Sequence, residues 1–231
     1  MTAIHFIGGE KGGVGKSVVA RLLAQFCIDK DIPFAAFDAD PSNGSLLRFY
    51  QNYCEAVDLS RFESADTIFT RAAEGNVRNV IVDLPAQSDR PLEQWMDASG
   101  IADLAAESGI PLVFWHVIDE CKDSVRLLGA LLARYGEKAS YCIVKNLGRG
   151  KDFALFDSSP TKSEAERLHA TILELPALHG PAMQKIDQLD GSFWSAVNSS
   201  AGEGLSRLDR QRVRVWLYRI YERFSSMPHL A

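Results

Sequence analysis

Short apolar runs alternate with longer segments of helical period over the first three quarters of the chain. Six of the short runs are typical of buried β-strands, and they cover residues 3–8, 33–38, 79–85, 110–117, 140–146 and 169–176. Four of the longer segments have the spacing and length of helices, and they cover residues 16–30, 61–74, 92–109 and 121–136. This order predicts an α/β fold, a doubly wound and mostly parallel sheet with helices on both faces.

Two stretches depart from this alternation. Residues 147–164 are polar and rich in turn formers, which predicts a loop beside the sheet edge. From about residue 179 onward the pattern predicts helices only. Because no internal repeat or linker interrupts the chain, we expect a single domain over residues 1–231 with an all-helical C-terminal segment.

The segment "GGEKGGVGKS", residues 8–17, lies between the first predicted strand and the first predicted helix. Strand, glycine loop, Gly-Lys-Ser and helix in this order are the setting of a phosphate-binding loop, where backbone N–H groups and the positive end of the helix dipole meet phosphate oxygens. Lys16 would reach the β- and γ-phosphates, and the Ser17 hydroxyl is a natural Mg²⁺ ligand. The residues predicted to bind the nucleotide here are Gly12, Gly13, Val14, Gly15, Lys16, Ser17 and Val18.

The strict pattern G-x-x-x-x-G-K-[ST] fails in this chain, because its first position falls on Glu10. The string KGGVGKS, residues 11–17, instead resembles the deviant Walker A motif of the ParA/MinD family of P-loop ATPases. The resemblance implies ATP and Mg²⁺ as cofactors and an ATP-dependent homodimer. In that family the early lysine reaches the partner's nucleotide, which makes Lys11 a catalytic candidate; the alternative is an ordinary loop lysine.

Two further motifs support the resemblance. "DADPSNGS", residues 38–45, matches the family's switch I motif, which implies that Asp40 serves hydrolysis and Asp38 lies on the metal side. On its own, this stretch is also compatible with an Asx-rich turn. "VIVDLPAQSD", residues 80–89, is an apolar strand that ends in Asp83, as in a Walker B motif, so the predicted metal ligands are Ser17, Asp38 and Asp83. Gln87 stands where the family often has glycine, which places the hydrolysis rate in question.

Two residues are candidates for contact with the base. The family often has an asparagine at the end of the strand that corresponds to residues 140–146, and this asparagine binds adenine. The resemblance therefore implies that Asn146 binds adenine; the alternative is that Asn146 only caps a turn. The segment "LELPALHGP", residues 173–181, resembles the one that packs around the base and contributes Pro176. No guanine-reading N-K-x-D motif is visible, and the choice of ATP over GTP rests on the resemblance.

The segment 205–224 combines an apolar helical stripe with six arginines and two acids, a local charge of +4 on a chain of net charge −5. One interpretation is a closing helix whose arginine stems cover the edge of the core. The other adds contact with DNA phosphates, or less readily with an anionic membrane surface. The candidate DNA-binding residues are Arg207, Arg210, Arg214, Arg219 and Arg223. The same region, read with "ILELPALHGP" and "FWSAV", resembles the TraL-type branch associated with plasmid transfer.

Composition excludes several other classes. The four cysteines form no CxxC pair and the five histidines show no metal-ligand spacing, which speaks against iron–sulfur carriers. No signal peptide or membrane-spanning run is visible, so a cytoplasmic and nucleoid-associated location is expected. Synthetases of related fold generally lack the early lysine, which argues against a metabolic ligase.

The sequence therefore predicts a Mg²⁺-dependent ATPase that acts as a nucleotide-switched dimer in plasmid partition or conjugative transfer. The expected partners are a second copy, non-specific DNA and a protein that stimulates hydrolysis. The alternatives are a membrane-associated MinD-like spatial regulator and a slowly hydrolysing ATP-binding scaffold.

Overall fold

The computed structural model describes residues 1–9, 12–40, 44–199 and 204–230. Within these ranges a seven-stranded, all-parallel sheet has the strand order β3-β2-β4-β1-β5-β6-β7. Its strands are β1 (Ala3–Gly8), β2 (Phe34–Asp38), β3 (Cys54–Ala56), β4 (Asn79–Asp83), β5 (Leu112–Ile118), β6 (Ser140–Asn146) and β7 (Thr171–Leu175).

Helices cover both faces of this sheet. They are α1 (Lys16–Asp29), α2 (Ser45–Phe49), α3 (Phe62–Ala73), α4 (Asp89–Ala98), α5 (Ile101–Glu107), α6 (Lys122–Tyr135), α7 (Ala154–Asp157), α8 (Pro160–Arg167), α9 (Gly180–Gln188), α10 (Phe193–Asn198) and α11 (Arg207–Phe224). Helices α1, α2 and α9 to α11 bury their apolar faces on one side of the sheet, and α3 to α8 do so on the other.

The central strands are apolar at successive positions because both of their faces are covered. In β1, Ile7 belongs to the core under α1 and α11, whereas Ile4 and Phe6 belong to the opposite core. All seven residues of β5 are buried in the same way. The doubly wound α/β fold expected from the sequence is therefore confirmed.

Some local predictions are wrong. The strand β3 was not predicted, because three residues carry no detectable period. The predicted helix 92–109 is two helices, α4 and α5, separated where Gly100 adopts φ +60°. The predicted loop 147–164 contains α7 and α8, the latter capped by the Ser159 side chain with proline at its first position.

Helix α11 packs its apolar stripe onto the sheet and α1. Trp216, Leu217 and Ile220 are at most 7% exposed, and Trp216 Nε1 donates a hydrogen bond to the Pro176 carbonyl at 2.6 Å. These are the side chains that a membrane-binding role of this stripe requires at the surface, so the stripe is not available to lipid. Among the described residues, no helix is long and apolar enough to cross a membrane.

A buried polar network ties the end of the described chain to the middle of the sheet. Trp115 Nε1 donates to His5 Nδ1 at 3.0 Å, so His5 carries its proton on Nε2 and donates to Asn79 Oδ1, also at 3.0 Å. Asn79 Nδ2 donates in turn to the Leu230 carbonyl at 3.1 Å. Because His5 is fully buried, desolvation lowers its pKa to about 4.

This shift predicts acid sensitivity. The unfolded chain protonates His5 near its ordinary pKa of about 6.5, whereas the folded protein resists protonation down to about 4. The free energy of unfolding should therefore fall as the pH drops through this window, with His5 contributing about 3 kcal/mol. Urea unfolding of the wild type and of His5→Gln at about pH 7 and about pH 4.5 measures that share. Equal pH dependence in both proteins would contradict it.

Candidate nucleotide-binding site

The predicted phosphate loop joins the carboxyl end of β1 to the first turn of α1. Gly9 has φ +131°, and a Cβ at this position would lie 2.7 Å from the Val117 carbonyl oxygen, so the close passage of the loop over β5 requires glycine. At the other end of the loop, Gly15 precedes α1 with φ +106°. The loop thus presents backbone N–H groups in front of the positive end of a 14-residue helix.

Asn146, at the end of β6, holds this loop in place. Its Nδ2 donates to the Val14 carbonyl at 2.6 Å, and its Oδ1 accepts from Gly148 N at 3.0 Å. A side chain at Gly15 would collide with the Asn146 amide. Asn146 thus caps the turn that follows β6 and also hydrogen-bonds the phosphate loop through Val14. Its contact with adenine stays a prediction.

Lys16 and Ser17 lie in the first turn of α1, next to the carboxyl end of β4. Lys16 is only 7% exposed, and its charge acts on the Asp83 carboxyl. The Ser17 hydroxyl hydrogen-bonds Asp83. The helix therefore brings one buried ammonium and one hydroxyl against a buried acid.

Asp83 and Asp38 lie side by side in the register of β4 and β2. Burial and the neighbouring Asp38 raise the pKa of Asp83 to about 8, against the opposing effects of Ser17 and Lys16. Burial also raises the pKa of Asp38, although its Oδ1 accepts from Asp40 N at 3.0 Å and its Oδ2 from Leu47 N at 2.9 Å. Two adjacent buried carboxyl groups repel each other when both are ionised, and a cation bound next to them would relieve that repulsion.

The residues present fit a divalent cation. Asp83 Oδ1 is buried and, among the described residues, has no hydrogen-bond partner. An unpaired carboxylate oxygen beside a serine hydroxyl is the hard oxygen donor set that Mg²⁺ prefers. Ser17 would hold the ion directly, Asp83 would hold it directly or through water, and Asp38, whose oxygens bind backbone amides, would act on it at longer range. A bound Mg²⁺ would neutralise phosphate charge.

The remaining catalytic candidates lie on the loops around this edge. Asp40 is half-buried two residues beyond β2, and the Asx turn foreseen for this stretch is present as the Asp40 N to Asp38 bond. Gln87 adopts φ +61°, so it keeps the left-handed backbone that glycine would take there, at a cost of about 1 kcal/mol. Lys11 lies outside the described residues.

A cavity of about 630 Å³ opens beside the loop. Four residues predicted to contact the nucleotide, Gly15, Val18, Asn146 and Pro176, are among those that line it, and the contacts themselves stay a prediction. The Pro176 carbonyl already accepts the Trp216 indole N–H, so this proline contributes its ring more readily than its carbonyl.

The sequence did not reveal three polar residues of this region. Asp187 of α9 lines the cavity and accepts a hydrogen bond from Arg21 of α1 at 2.9 Å. Arg21 is 3% exposed, with its guanidinium 3.6 Å from the centre of the Phe49 ring. His116 of β5 is buried, and burial and the charge of Lys16 lower its pKa to about 4. None of the three belongs to a local motif, and only the tertiary fold brings them to this region.

Sequence relatives cover 71–98% of the chain at low identity. No family model matches it. It is 24% identical over 245 residues to Protein TraL from Escherichia coli, covering 98% of each chain. It is also 24% identical over 169 residues to Protein MobD from Acidithiobacillus ferrooxidans, covering 71% of this chain and 73% of the relative.

Solved structures share the fold. The MinD protein in the MinC:MinD cell division complex of Aquifex aeolicus superposes with a TM-score of 0.58 at 12% identity, over 98% of both chains. A Borrelia burgdorferi protein assigned to plasmid partition and bound to AMPPNP superposes with a TM-score of 0.54 at 14% identity, over 96% of this chain and 99% of that one. The resemblance to the ParA/MinD family, with a TraL-like branch, is confirmed. At these identities the superpositions show a common fold, and the chemistry of this chain is argued from its own residues.

Proposed function

We propose that this chain is a Mg²⁺-dependent ATPase that works as a nucleotide-switched dimer in plasmid partition or conjugative transfer. The observation that carries the proposal is the unpaired, buried Oδ1 of Asp83 beside the Ser17 hydroxyl and Lys16, at the positive end of α1. A protein gains nothing in stability from such an orphaned oxygen. A site that binds a metal nucleotide needs it.

Each group has a role in this proposal. The loop amides and Lys16 hold the β- and γ-phosphates and offset their charge. The half-buried Asp40, two residues beyond β2, orients the attacking water. Asn146 keeps the loop in its binding shape through the Val14 carbonyl, so the cradle is pre-formed before the nucleotide arrives.

The comparisons support the setting of this function. The Borrelia burgdorferi partition protein of the same fold was solved with AMPPNP, an ATP analogue, and the Aquifex aeolicus MinD was solved with a protein partner, MinC. TraL and MobD align with this chain at 24% identity, over 98% and 71% of its length. We infer from these likenesses that ATP is the nucleotide and that a partner protein stimulates hydrolysis.

Dimer formation is tested at Lys11. If its ammonium serves the partner's phosphates, Lys11→Ala should bind ATP with unchanged affinity but remain monomeric. Light scattering with Mg²⁺ and a non-hydrolysable ATP analogue measures the mass, and calorimetry on the same sample measures binding. Lys138→Ala, which removes a lysine at the amino ends of the strands, is the matched control. A variant that dimerises like the wild type would make Lys11 an ordinary loop lysine.

DNA binding is tested on α11. Arg219 and Arg223 are exposed on one flank of this helix, so Arg219→Glu with Arg223→Glu should weaken duplex binding equally for all sequences and flatten its salt dependence. Arg61→Glu with Arg126→Glu, two exposed arginines on the opposite face of the sheet, is the matched control. Gel retardation with ATP analogue over a salt series is the measurement. Unaltered binding by the α11 variant would refute the assignment.

The slowly hydrolysing scaffold is the second candidate, and Gln87 is the observation that favours it. Its positive φ means that a bulky side chain stands on a turn of glycine-like geometry near the site. A steady-state ATPase assay with and without duplex DNA separates the two functions. Stimulated turnover supports the switch, whereas negligible turnover under both conditions supports the scaffold.

A further inference from the structure

Helices α10 and α11 present two exposed aromatic rings to one small cavity. Trp194 is 56% exposed and Tyr218 is 64% exposed, and both line a cavity of about 240 Å³. The other three tryptophans, Trp95, Trp115 and Trp216, are at most 5% exposed. Two exposed rings that share one cavity form an apolar patch of the kind that marks contact sites.

One arginine lines the same cavity, and a second lies one turn away on the same flank of α11. Arg214 lines it directly, and its Nη2 donates to the Val197 carbonyl at 3.3 Å. One turn earlier, Arg210 Nη1 donates to the Ser199 carbonyl at 2.7 Å. These bonds complete the C-terminal end of α10 and also hold the two guanidinium groups in place.

Within the described ranges, neither Arg210 nor Arg214 has a carboxylate at salt-bridge distance, whereas Arg212 on the other flank pairs with Asp209. Two acids lie nearby: Asp29 lines the cavity and accepts bonds from Tyr221 and Gln25, and Glu222 faces the Tyr218 hydroxyl. The surface therefore offers two aromatic faces and two guanidinium groups held in place by carbonyl groups, and the neighbouring acids bind other side chains.

We propose that this surface, formed by Trp194, Tyr218, Arg210 and Arg214, binds single-stranded nucleic acid, with bases stacked on the two rings and phosphates on the arginines. Aromatic rings interleaved with arginines are the means by which proteins hold unpaired strands. In a duplex the base faces are already stacked on one another and are closed to a protein ring. The two guanidinium groups would hold phosphates, and the exposed ring faces select an unpaired strand.

This inference rests on the proposed DNA binding of α11 and names a second form of nucleic acid on the opposite flank. It does not require the nucleotide switch, since neither ring lies at the phosphate loop. The two proposals therefore fail separately. Loss of duplex binding in the Arg219 and Arg223 variant tests the first, and the aromatic variants below test the second.

The experiment uses the full chain, a labelled single strand of about 20 thymidines and a duplex of equal length, with binding followed by fluorescence anisotropy. We expect Trp194→Ala with Tyr218→Ala to lose about tenfold or more in single-strand affinity and to change little in duplex affinity. The conservative Trp194→Phe should retain single-strand affinity within about threefold, because it keeps a ring face. Phe62→Ala, an exposed ring on α3 at the opposite face of the sheet, is the matched control.

A second readout reports the stacking itself. Because Trp194 is the one strongly exposed tryptophan of the described chain, the single strand should quench intrinsic tryptophan fluorescence in the wild type and not in Trp194→Phe. Thermal melting of each variant confirms that it folds. Unchanged single-strand affinity in the double variant, or equal losses for single strand and duplex, would overturn the proposal. A wild-type dimer that the double variant converts to a monomer without nucleotide would also overturn it, because the surface would then bind a second copy.

Discussion

Lys16→Ala should abolish ATP binding while leaving the protein folded. Lys16 is the buried cation of the phosphate site, at 7% exposure in the first turn of α1. Its ammonium would face the terminal phosphates in a partly dry pocket, where a charge-assisted contact contributes on the order of several kcal/mol. The loop amides would remain, but they carry no net charge. We expect a loss of affinity of about 10³-fold, which is no measurable binding by calorimetry.

The folded state of this variant needs its own control. Removing Lys16 leaves Asp83 with less compensation, so the pKa of that carboxyl should rise further and the acid should stay protonated at neutral pH. Thermal melting therefore accompanies the calorimetry, and Lys138→Ala is the matched lysine deletion at the far end of the strands. ATP affinity within about threefold of the wild type would refute the phosphate-loop assignment.

The hydrophobic pattern was sufficient for most of the fold. The runs that form β1, β4, β5 and β6 are mostly apolar at successive positions because the sheet is covered on both faces, and such runs can be recognised from the sequence alone. The edge strand β3 escaped prediction because three residues, one buried and two exposed, carry no period. Helix α8 escaped it because its signals are a serine cap and a proline, which also mark turns, and α7 escaped it because four residues are too few to show a helical period.

Some features of the candidate site could also be predicted from the sequence, and others could not. The phosphate loop and the acids that end β2 and β4 were predictable, because glycines and aspartates at strand ends are local signals. The hydrogen bond from Asn146 to Val14 was not predictable, since the two residues are 132 positions apart and meet only through the pairing of β1, β5 and β6. Arg21 reaches Asp187 across 166 positions, and nothing in the segment of α1 marks it as buried.

Asp38 has one role that the sequence indicated and another that only the structure reveals. The sequence identified it through the switch motif as a metal-side carboxylate. In the structure its Oδ2 also accepts a hydrogen bond from the Leu47 amide in the first turn of α2, and its Oδ1 accepts one from the Asp40 amide. A carboxylate fixed by backbone bonds is a rigid neighbour for Asp83, and it positions Asp40 through that same amide. The proposed role of Asp40 in hydrolysis therefore depends on Asp38, which holds the backbone of Asp40 in place.

Asp40→Ala should separate nucleotide binding from hydrolysis. The half-buried Asp40 does not belong to the loop that holds the phosphates, so ATP affinity should stay within a few-fold of the wild type. If Asp40 orients the attacking water, as we propose, turnover should fall by about 10²–10⁴-fold. The ATP-bound dimer should then accumulate, because the step that separates the protomers is blocked.

The measurement combines steady-state ATPase assays with light scattering at saturating Mg²⁺ and ATP. Asp40→Asn keeps the shape and the polar contacts of the side chain without its charge, so an equal loss in this variant assigns the effect to the carboxylate itself. Asp103→Ala, at an exposed position of α5, is the matched deletion of an acid elsewhere. Unchanged turnover in Asp40→Ala would move the hydrolytic role to another residue. If the wild type itself shows negligible turnover with DNA present, the nucleotide serves as a structural ligand and the scaffold function is the correct one.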